Sequence, residues 1–289
     1  MLQSFCKPAP GLQQFVRFYT QRQMRIDGPG VVHPVTARAV PMLEFELGEP
    51  INAFYHEERS LKKSPEVTLV GPQTHRRVDL LLRGALEHFV IMFQPDGLSR
   101  LFSVPMGELT DEDFDGHAVL GTAISEVYQR LGDCKTFEER VSFVDAFLLR
   151  RALTSSSHDA ISVAANRILL RGGRVAVTDL ADRAGLSTRQ FQRRFMQQVG
   201  MRPKLFGRIA RFEAALDGKA RFAAKSWTDV AHQFGYHDQM HMVHDFGEFT
   251  GETPTKTLSQ LKAVFSGRLL TARSTETSET DDGDPRVFF

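Results

Sequence analysis

Between Thr178 and Pro254 one pattern is written twice, and a repeat of this kind restricts the fold more than any bulk property. In the first copy, Thr178-Asp-Leu-Ala-Asp-Arg-Ala-Gly185 reads as a short helix. Thr178 is its N-cap, Leu180, Ala181 and Ala184 its buried face, and Gly185 its left-handed C-cap. Leu186 fills the turn. Ser187-x-x-Gln190 then caps a second helix, on which Phe191, Phe195 and Val199 form one apolar face. Gly200 stops it and Pro203 opens the next helix at its first turn. In the second copy, Ser226-x-x-Asp229 caps a helix with Val230, Ala231 and Phe234 inward. Gly235 ends it and Tyr236 fills the turn. Asp238 caps the following helix, whose inward residues are Met242, Phe246 and Phe249, and Gly251 and Pro254 close it.

Leu180, Ala181, Gly185 and Leu186 map onto Val230, Ala231, Gly235 and Tyr236 at a shift of 50, and Phe191, Phe195, Gly200 and Pro203 onto Met242, Phe246, Gly251 and Pro254 at a shift of 51. The extra residue falls in the turn, where insertion is cheap. Helix, glycine-containing turn, helix is the helix-turn-helix arrangement, which places its second helix in a DNA major groove. Pro203 to about Leu216 reads as a connecting helix from the spacing of Phe206, Ile209, Ala210 and Phe212. A rigid connector of ~20 Å, with its two units, fits recognition helices ~34 Å apart on one face of a duplex.

The alternative is an all-helical domain whose repeat serves packing alone. Charge argues against it. The chain has a net charge of +1, yet residues 159–262 hold 16 Lys+Arg against 10 Asp+Glu. A basic segment on a near-neutral chain suits a polyanion. The outward face of the first recognition helix is Thr188, Arg189, Gln190, Gln192, Arg193 and Arg194, with no carboxylate for the i,i+4 pairs of a merely solvated helix. Arg and Gln are also the side chains that pair bidentately with guanine and adenine edges.

Residues 159–262 as a whole resemble the DNA-binding domain of the AraC/XylS family. The likeness is carried by Leu180-Ala181-x-x-Ala184-Gly185-x-Ser187-x-x-x-Phe191-x-Arg193-x-Phe195-x-x-x-x-Gly200-x-x-Pro203, by Val230-Ala231-x-x-Phe234-Gly235-Tyr236-x-Asp238-x-x-x-Met242-x-x-x-Phe246, and by Thr250-Gly251-x-Thr253-Pro254. The resemblance implies base reading by Arg189, Gln192 and Arg193 in the first unit and by Gln239, Met240, His241 and His244 in the second. The sequence departs from the family where His244 replaces a usual Arg and Met240 stands near a usual Ser. His is a weaker donor, mostly neutral near pH 7, so the second unit is expected to add less base specificity or to bind in a pH-sensitive way. Phosphate contacts are expected from Arg174, Lys204, Arg208 and Lys256.

Other chemistry finds little support. His237, His241 and His244, with His232 nearby, lack the converging third and fourth ligands of a zinc site, and no Cys is near them, so no metal and no cofactor are expected. Cys6 and Cys134 form no CxxC pattern, which fits a reducing compartment. The competing class is a DNA-repair or stress-response enzyme carrying the same DNA-binding domain and a reactive Cys. Cys6 has no ligand set around it and Cys134 has only Lys135 beside it, so the expectation is a protein that is not an enzyme.

The first ~110 residues read as strands and turns. Leu43, Phe45 and Leu47 alternate with Glu44 and Glu46. Val67–Val70, Val78–Leu82 and His88–Phe93 are further β-rich runs, Val78–Leu82 closed by Gly84 and His88–Phe93 by Pro95-Asp96-Gly97. Helices are predicted over Gly97–Phe102, His117–Leu131 (closed by Gly132) and Thr136–Leu153, the last with Thr136-x-x-Glu139 as capping box and Phe137, Val141, Val144 and Leu148 as its apolar stripe. The stretch Gly71-Pro72-Gln73-Thr74, Phe93-Gln94-Pro95-Asp96-Gly97-Leu98 and Leu101-Phe102-x-x-Pro105 also resembles a β-rich domain found ahead of AraC-type modules. His33, His75 and His88 read as satisfied polar residues rather than ligands. The fold class expected is α+β, with a β-rich N-terminal domain carrying a helical segment and then an all-α double helix-turn-helix domain. Residues 1–156 are assigned to sensing or dimerisation, 157–262 to DNA binding and 263–289 to a disordered tail, with Thr154–Ser157 as linker. The partners expected are double-stranded DNA, RNA polymerase and a small-molecule effector, for a cytoplasmic monomer or homodimer without membrane contact.

Overall fold

The computed structural model describes residues 2–155 and 159–264. Ser156 and Ser157 of the expected linker, and the expected tail beyond Val264, lie outside the described residues.

The N-terminal part is an antiparallel sheet in the order β1-β2-β7-β3-β6-β8. Its strands are β1 (Leu2–Cys6), β2 (Val16–Pro34), β3 (Met42–Glu46), β6 (Val67–Val70), β7 (Val78–Phe93) and β8 (Asp113–Asp115), and the hairpin of β4 (Asn52–Tyr55) and β5 (Ser60–Lys63) hangs on β7. Strand β7 is long enough to pair with β4 through its first residues and with β3 through its last, while β2 runs along its other edge. The expected break at Gly84 is therefore corrected: the two runs are one strand. Gly84 has φ +82° and sits opposite Ile26, where the β2 register slips across Gly28 and Gly30. The glycines bend the ladder rather than end it.

Pleating divides the sheet's side chains between two large cores, with a smaller cluster at Ile51, Leu82 and Leu86. Leu43, Phe45, Phe89, Ile91 and Phe93 pack under the helices α1 (Gly97–Phe102), α2 (Met106–Leu109), α3 (Gly116–Leu120), α4 (Thr122–Asp133) and α5 (Phe137–Ala152). The stripe Phe137, Val141, Val144 and Leu148 is buried in this core. The single helix predicted over His117–Leu131 is instead two, because Gly121 takes φ +76° between α3 and α4. Gly132 lies inside the last turn of α4.

Phe18 and Met92, partners across β2 and β7, instead join Ala37, Ala39 and Val40 in a core shared with the C-terminal helices. Those helices are α6 (Ala160–Leu170), α7 (Val177–Arg183), α8 (Thr188–Val199), α9 (Pro203–Arg221), α10 (Trp227–Gln233), α11 (Gln239–Thr250) and α12 (Pro254–Val264). The connecting helix α9 runs five residues beyond the expected Leu216, making it about 28 Å long at 1.5 Å per residue. Thr178 is not the cap of α7: Ala176 holds that position without a side-chain bond, and Thr178 lies inside the first turn.

Candidate nucleic-acid interface

In the first unit, α7 and α8 meet across Gly185, whose φ of +64° makes the tight turn. Ser187 accepts from the Gln190 N–H and the Gln190 side chain returns to the Ser187 N–H, so α8 starts on a closed capping box. Phe191, Phe195 and Val199 are fully buried. Phe195 stacks edge-on against Phe206 of α9 at 5.4 Å between ring centroids, which fixes the roll of α8 on the connector. Burying each such ring contributes ~1.5–3 kcal/mol. The opposite face is thereby turned out: Arg189, Gln192, Arg193 and Arg194 are all exposed. None of the three arginines has a carboxylate partner among the described residues, so their guanidinium forks remain available to an outside acceptor.

The second unit repeats this with a different surface. Ser226 and Asp229 close the capping box of α10, and Asp238 caps α11 by accepting from the His241 N–H at 2.7 Å. That backbone bond, with the neighbouring His237, holds the Asp238 carboxyl below the usual range, so it stays ionised as a cap. Met242, Phe246 and Phe249 are fully buried, and Phe246 and Phe249 both lie edge-on to Phe212 of α9. Gln239, Met240, His241 and His244 are exposed, Met240 to 71%. An apolar side chain so exposed on the first turn of a recognition helix suits a thymine methyl group. Thr228 of α10 bonds Gln239 at 2.7 Å, a contact that orients the amide and that no sequence signal announced.

The four expected phosphate contacts separate into two kinds. Arg174 and Lys204 are exposed, and the Arg174 guanidinium makes a long bond to the Gln233 carbonyl at 3.5 Å. Arg208 and Lys256 have partners within the fold. Arg208 bonds Asp245 at 2.7 and 3.1 Å and Glu248 at 2.5 and 3.0 Å, and Lys256 pairs with Glu252 at 2.7 Å. Arg208 in turn holds the Glu248 carboxyl low. His244, Asp245 and Glu248 bring ligand atoms within 4.8 Å of one another, but the Arg208 guanidinium already bridges the two carboxylates. Between the units lies a cleft of about 530 Å³, with Lys204, Arg208 and Arg211 of α9 on one wall and His241 and His244 of α11 on the other. The sheet of the N-terminal part encloses a cavity of about 40 Å³ beside Arg22, Glu44 and His88, room for water but far below the size of a drug-sized ligand site.

Comparison with known proteins places these parts. A family model described as a helix-turn-helix domain matches residues 180–260, one continuous match over both units and the connector. This match and the order of the two units support an AraC-type module at the C-terminus. A helix-turn-helix domain of this type supports a DNA-binding transcription regulator. Ahead of its AraC-type module, residues 4–115 match a domain of unknown function (DUF6597). No curated protein sequence matches the chain. Among solved structures, ToxT from Vibrio cholerae O395 is similar at 12% identity, with 84% of this chain and 98% of that chain covered and a TM-score of 0.50. A second crystal form of ToxT from Vibrio cholerae gives 10% identity, 84% and 98% coverage and the same score. An apo ToxT variant from Vibrio cholerae strain SCE256 gives 10% identity, 89% and 100% coverage, and again 0.50. At such identity the likeness is one of fold, and it extends across the N-terminal sheet as well as the AraC-type module.

Proposed function

We propose that this regulator lays α8 and α11 into successive major grooves on one face of a duplex, and that its N-terminal domain modulates the placement. The carrying observation is the outward face of α8. Arg189, Gln192 and Arg193 are exposed together, and neither arginine has a carboxylate partner among the described residues. These three read bases. Gln239, Met240, His241 and His244 read the second groove less selectively, since α11 presents no guanidinium. Arg174 and Lys204 contact phosphates. Arg208 and Lys256 contact phosphates only in competition with Asp245, Glu248 and Glu252, so their share is smaller. We assign residues 1–156 and 157–262 to the regulatory and DNA-binding domains, and RNA polymerase as the partner through which occupancy changes transcription. A small-molecule effector seated beside Arg22, Glu44 and His88 would need the sheet to open there, because that cavity is only about 40 Å³.

The test is selection of duplexes from a random library with purified full-length protein, followed by footprinting. Two protected half-sites about one turn apart on one face support the reading. A single protected half-site, or affinity that does not fall with salt, rejects it.

A further inference from the structure

Each recognition helix has a reading end and a rear end, and the rear ends share an unexpected property. The carbonyls at the C-terminus of a helix have no partner within it and need outside donors. On α8, the Gly200 carbonyl accepts from the Thr110 hydroxyl at 2.7 Å. On α11, the Phe249 carbonyl accepts from the Ala37 N–H at 3.0 Å, and the Thr250 carbonyl from Arg76 at 3.5 Å. Thr110, Ala37 and Arg76 all belong to the N-terminal domain. Gly200 is pressed so closely there that a Cβ would come within 2.4 Å of Thr110 Oγ1 and 2.7 Å of the Met106 carbonyl.

The connector between the units is held from the same side. Glu213 of α9 is 2% exposed and accepts from the Ala39 N–H at 3.4 Å, with the buried Arg38 guanidinium as its opposite charge. Around these bonds Phe18, Ala37, Ala39, Val40 and Met92 complete the core of the DNA-binding domain. The two units are therefore not spaced by α9 alone. The connector holds each unit through the rings of Phe206 and Phe212, and three grips on one β-sheet domain hold α8, α9 and α11 to a further common body.

We infer that the N-terminal domain is the gauge that sets the separation of the two recognition helices, with Thr110 the positioning residue for α8 and Arg76 that for α11. The inference rests on the two-groove reading above. It explains how an event in the sheet reaches DNA without touching it: a shift of the β2–β3 connection at Ala37 or of the α2–β8 turn at Thr110 moves one reading end relative to the other. The expected reading residues Arg189, Gln192, Arg193, Gln239 and Met240, by contrast, are exposed.

The experiment compares duplexes carrying the selected site with one or two base pairs added or removed between its half-sites, using full-length protein. Wild type is expected to bind the selected spacing at least tenfold better than the altered ones. Thr110→Val, which loses the donor but keeps the shape, is expected to cut that preference at least fivefold, and Thr110→Ser to restore it. Arg76→Gln is expected to relax it likewise and supplies the answer if Thr110→Val does not fold. Folded variants of both residues with an unchanged spacing preference overturn the gauge while leaving the two-groove reading intact. Wild type that binds without any spacing preference overturns both.

Discussion

Nη2 of Arg208 lies 2.7 Å from Oδ1 of Asp245, a carboxylate with no solvent exposure at the root of the second recognition helix. Arg208 reaches it from the connector, so the pair ties α9 to α11 through a buried charge. Removing one member of a buried pair leaves the other uncompensated, at a cost of ~3–5 kcal/mol when both are fully buried. Arg208 is a quarter exposed, which lowers the figure.

Arg208→Met, which keeps volume and removes charge, is expected to destabilise the protein by about 2–4 kcal/mol in denaturant unfolding. A variant of unchanged stability with weaker DNA binding on every sequence would return Arg208 to the phosphate contacts.

Lys204→Ala makes the complementary case. Lys204 is exposed on the first turn of α9 and beside the cleft between the units. Its loss is expected to leave unfolding unchanged and to lower the slope of log affinity against log salt by about 1, because one fewer counterion is released. An unaltered slope in a salt titration removes Lys204 from the interface.

Arg193→Ala is expected to weaken binding to the preferred site by ~1–3 kcal/mol and to relax base choice at one position. Selection repeated with the variant measures both. Equal losses on all sequences make Arg193 a phosphate contact instead.

The C-terminal helices were legible because their signals are local. Capping boxes at Ser187 and Ser226, glycines at Gly185, Gly200, Gly235 and Gly251, and apolar spacing on Phe191, Phe195, Met242 and Phe246 all act within one or two turns, and the structure places each as expected. The cap of α7 departs from the residue types because Thr178 lies two residues past the cap position, which Ala176 fills. The strands were harder. Gly84 looks like an end in a linear reading and becomes a bend only once β2 pairs Ile26 with it and slips its register across Gly28 and Gly30. The grips of Thr110 on Gly200 and of Ala37 on Phe249 join residues 90 and more positions apart, and a hydroxyl or an alanine N–H carries no mark of its distant acceptor. The commitment of Arg208 to Asp245 and Glu248 was hidden for the same reason: at a shift of 37 and 40 residues, neither helical nor strand periodicity pairs them.

Gly200→Ala tests the domain junction through stability. The residue has φ +88°, a conformation side chains other than glycine tolerate at a cost of about 1 kcal/mol, and its Cβ would collide with Thr110 and the Met106 carbonyl. A total loss of about 2–4 kcal/mol is expected from chemical denaturation. Gly251→Ala, also left-handed at φ +71° but with open space around it, is expected to lose only about 1 kcal/mol. Equal losses at the two positions would mean that the backbone alone, and not the packed junction, sets the cost.

Burial inside the sheet sets the last prediction. Glu46 on β3 is pushed up to about 7 by loss of solvent and by the neighbouring Glu44, against the bond it accepts from the Ile51 N–H and the charges of His88 and Lys63. Glu44 itself stays ionised: burial would raise it, but the bond with His88 and the charges of His88, Arg38 and Arg22 outweigh that and hold it low. The folded protein thus binds a proton at Glu46 that the unfolded chain, with a carboxyl near 4.5, has released. Between those two values the native state carries more protons than the unfolded one, so this group's contribution is fully present below about 4.5 and is lost as pH rises to about 7. Glu46→Gln keeps an acceptor for Ile51 and cannot ionise. It is expected to match wild type in urea unfolding at pH 4.5 and to exceed it by about 1–3 kcal/mol at pH 8, a range that allows for the residue's partial solvation. A variant less stable than wild type at pH 8 would mean that Glu46 is held as a carboxylate, and the order of charges along β3 would have to be reversed.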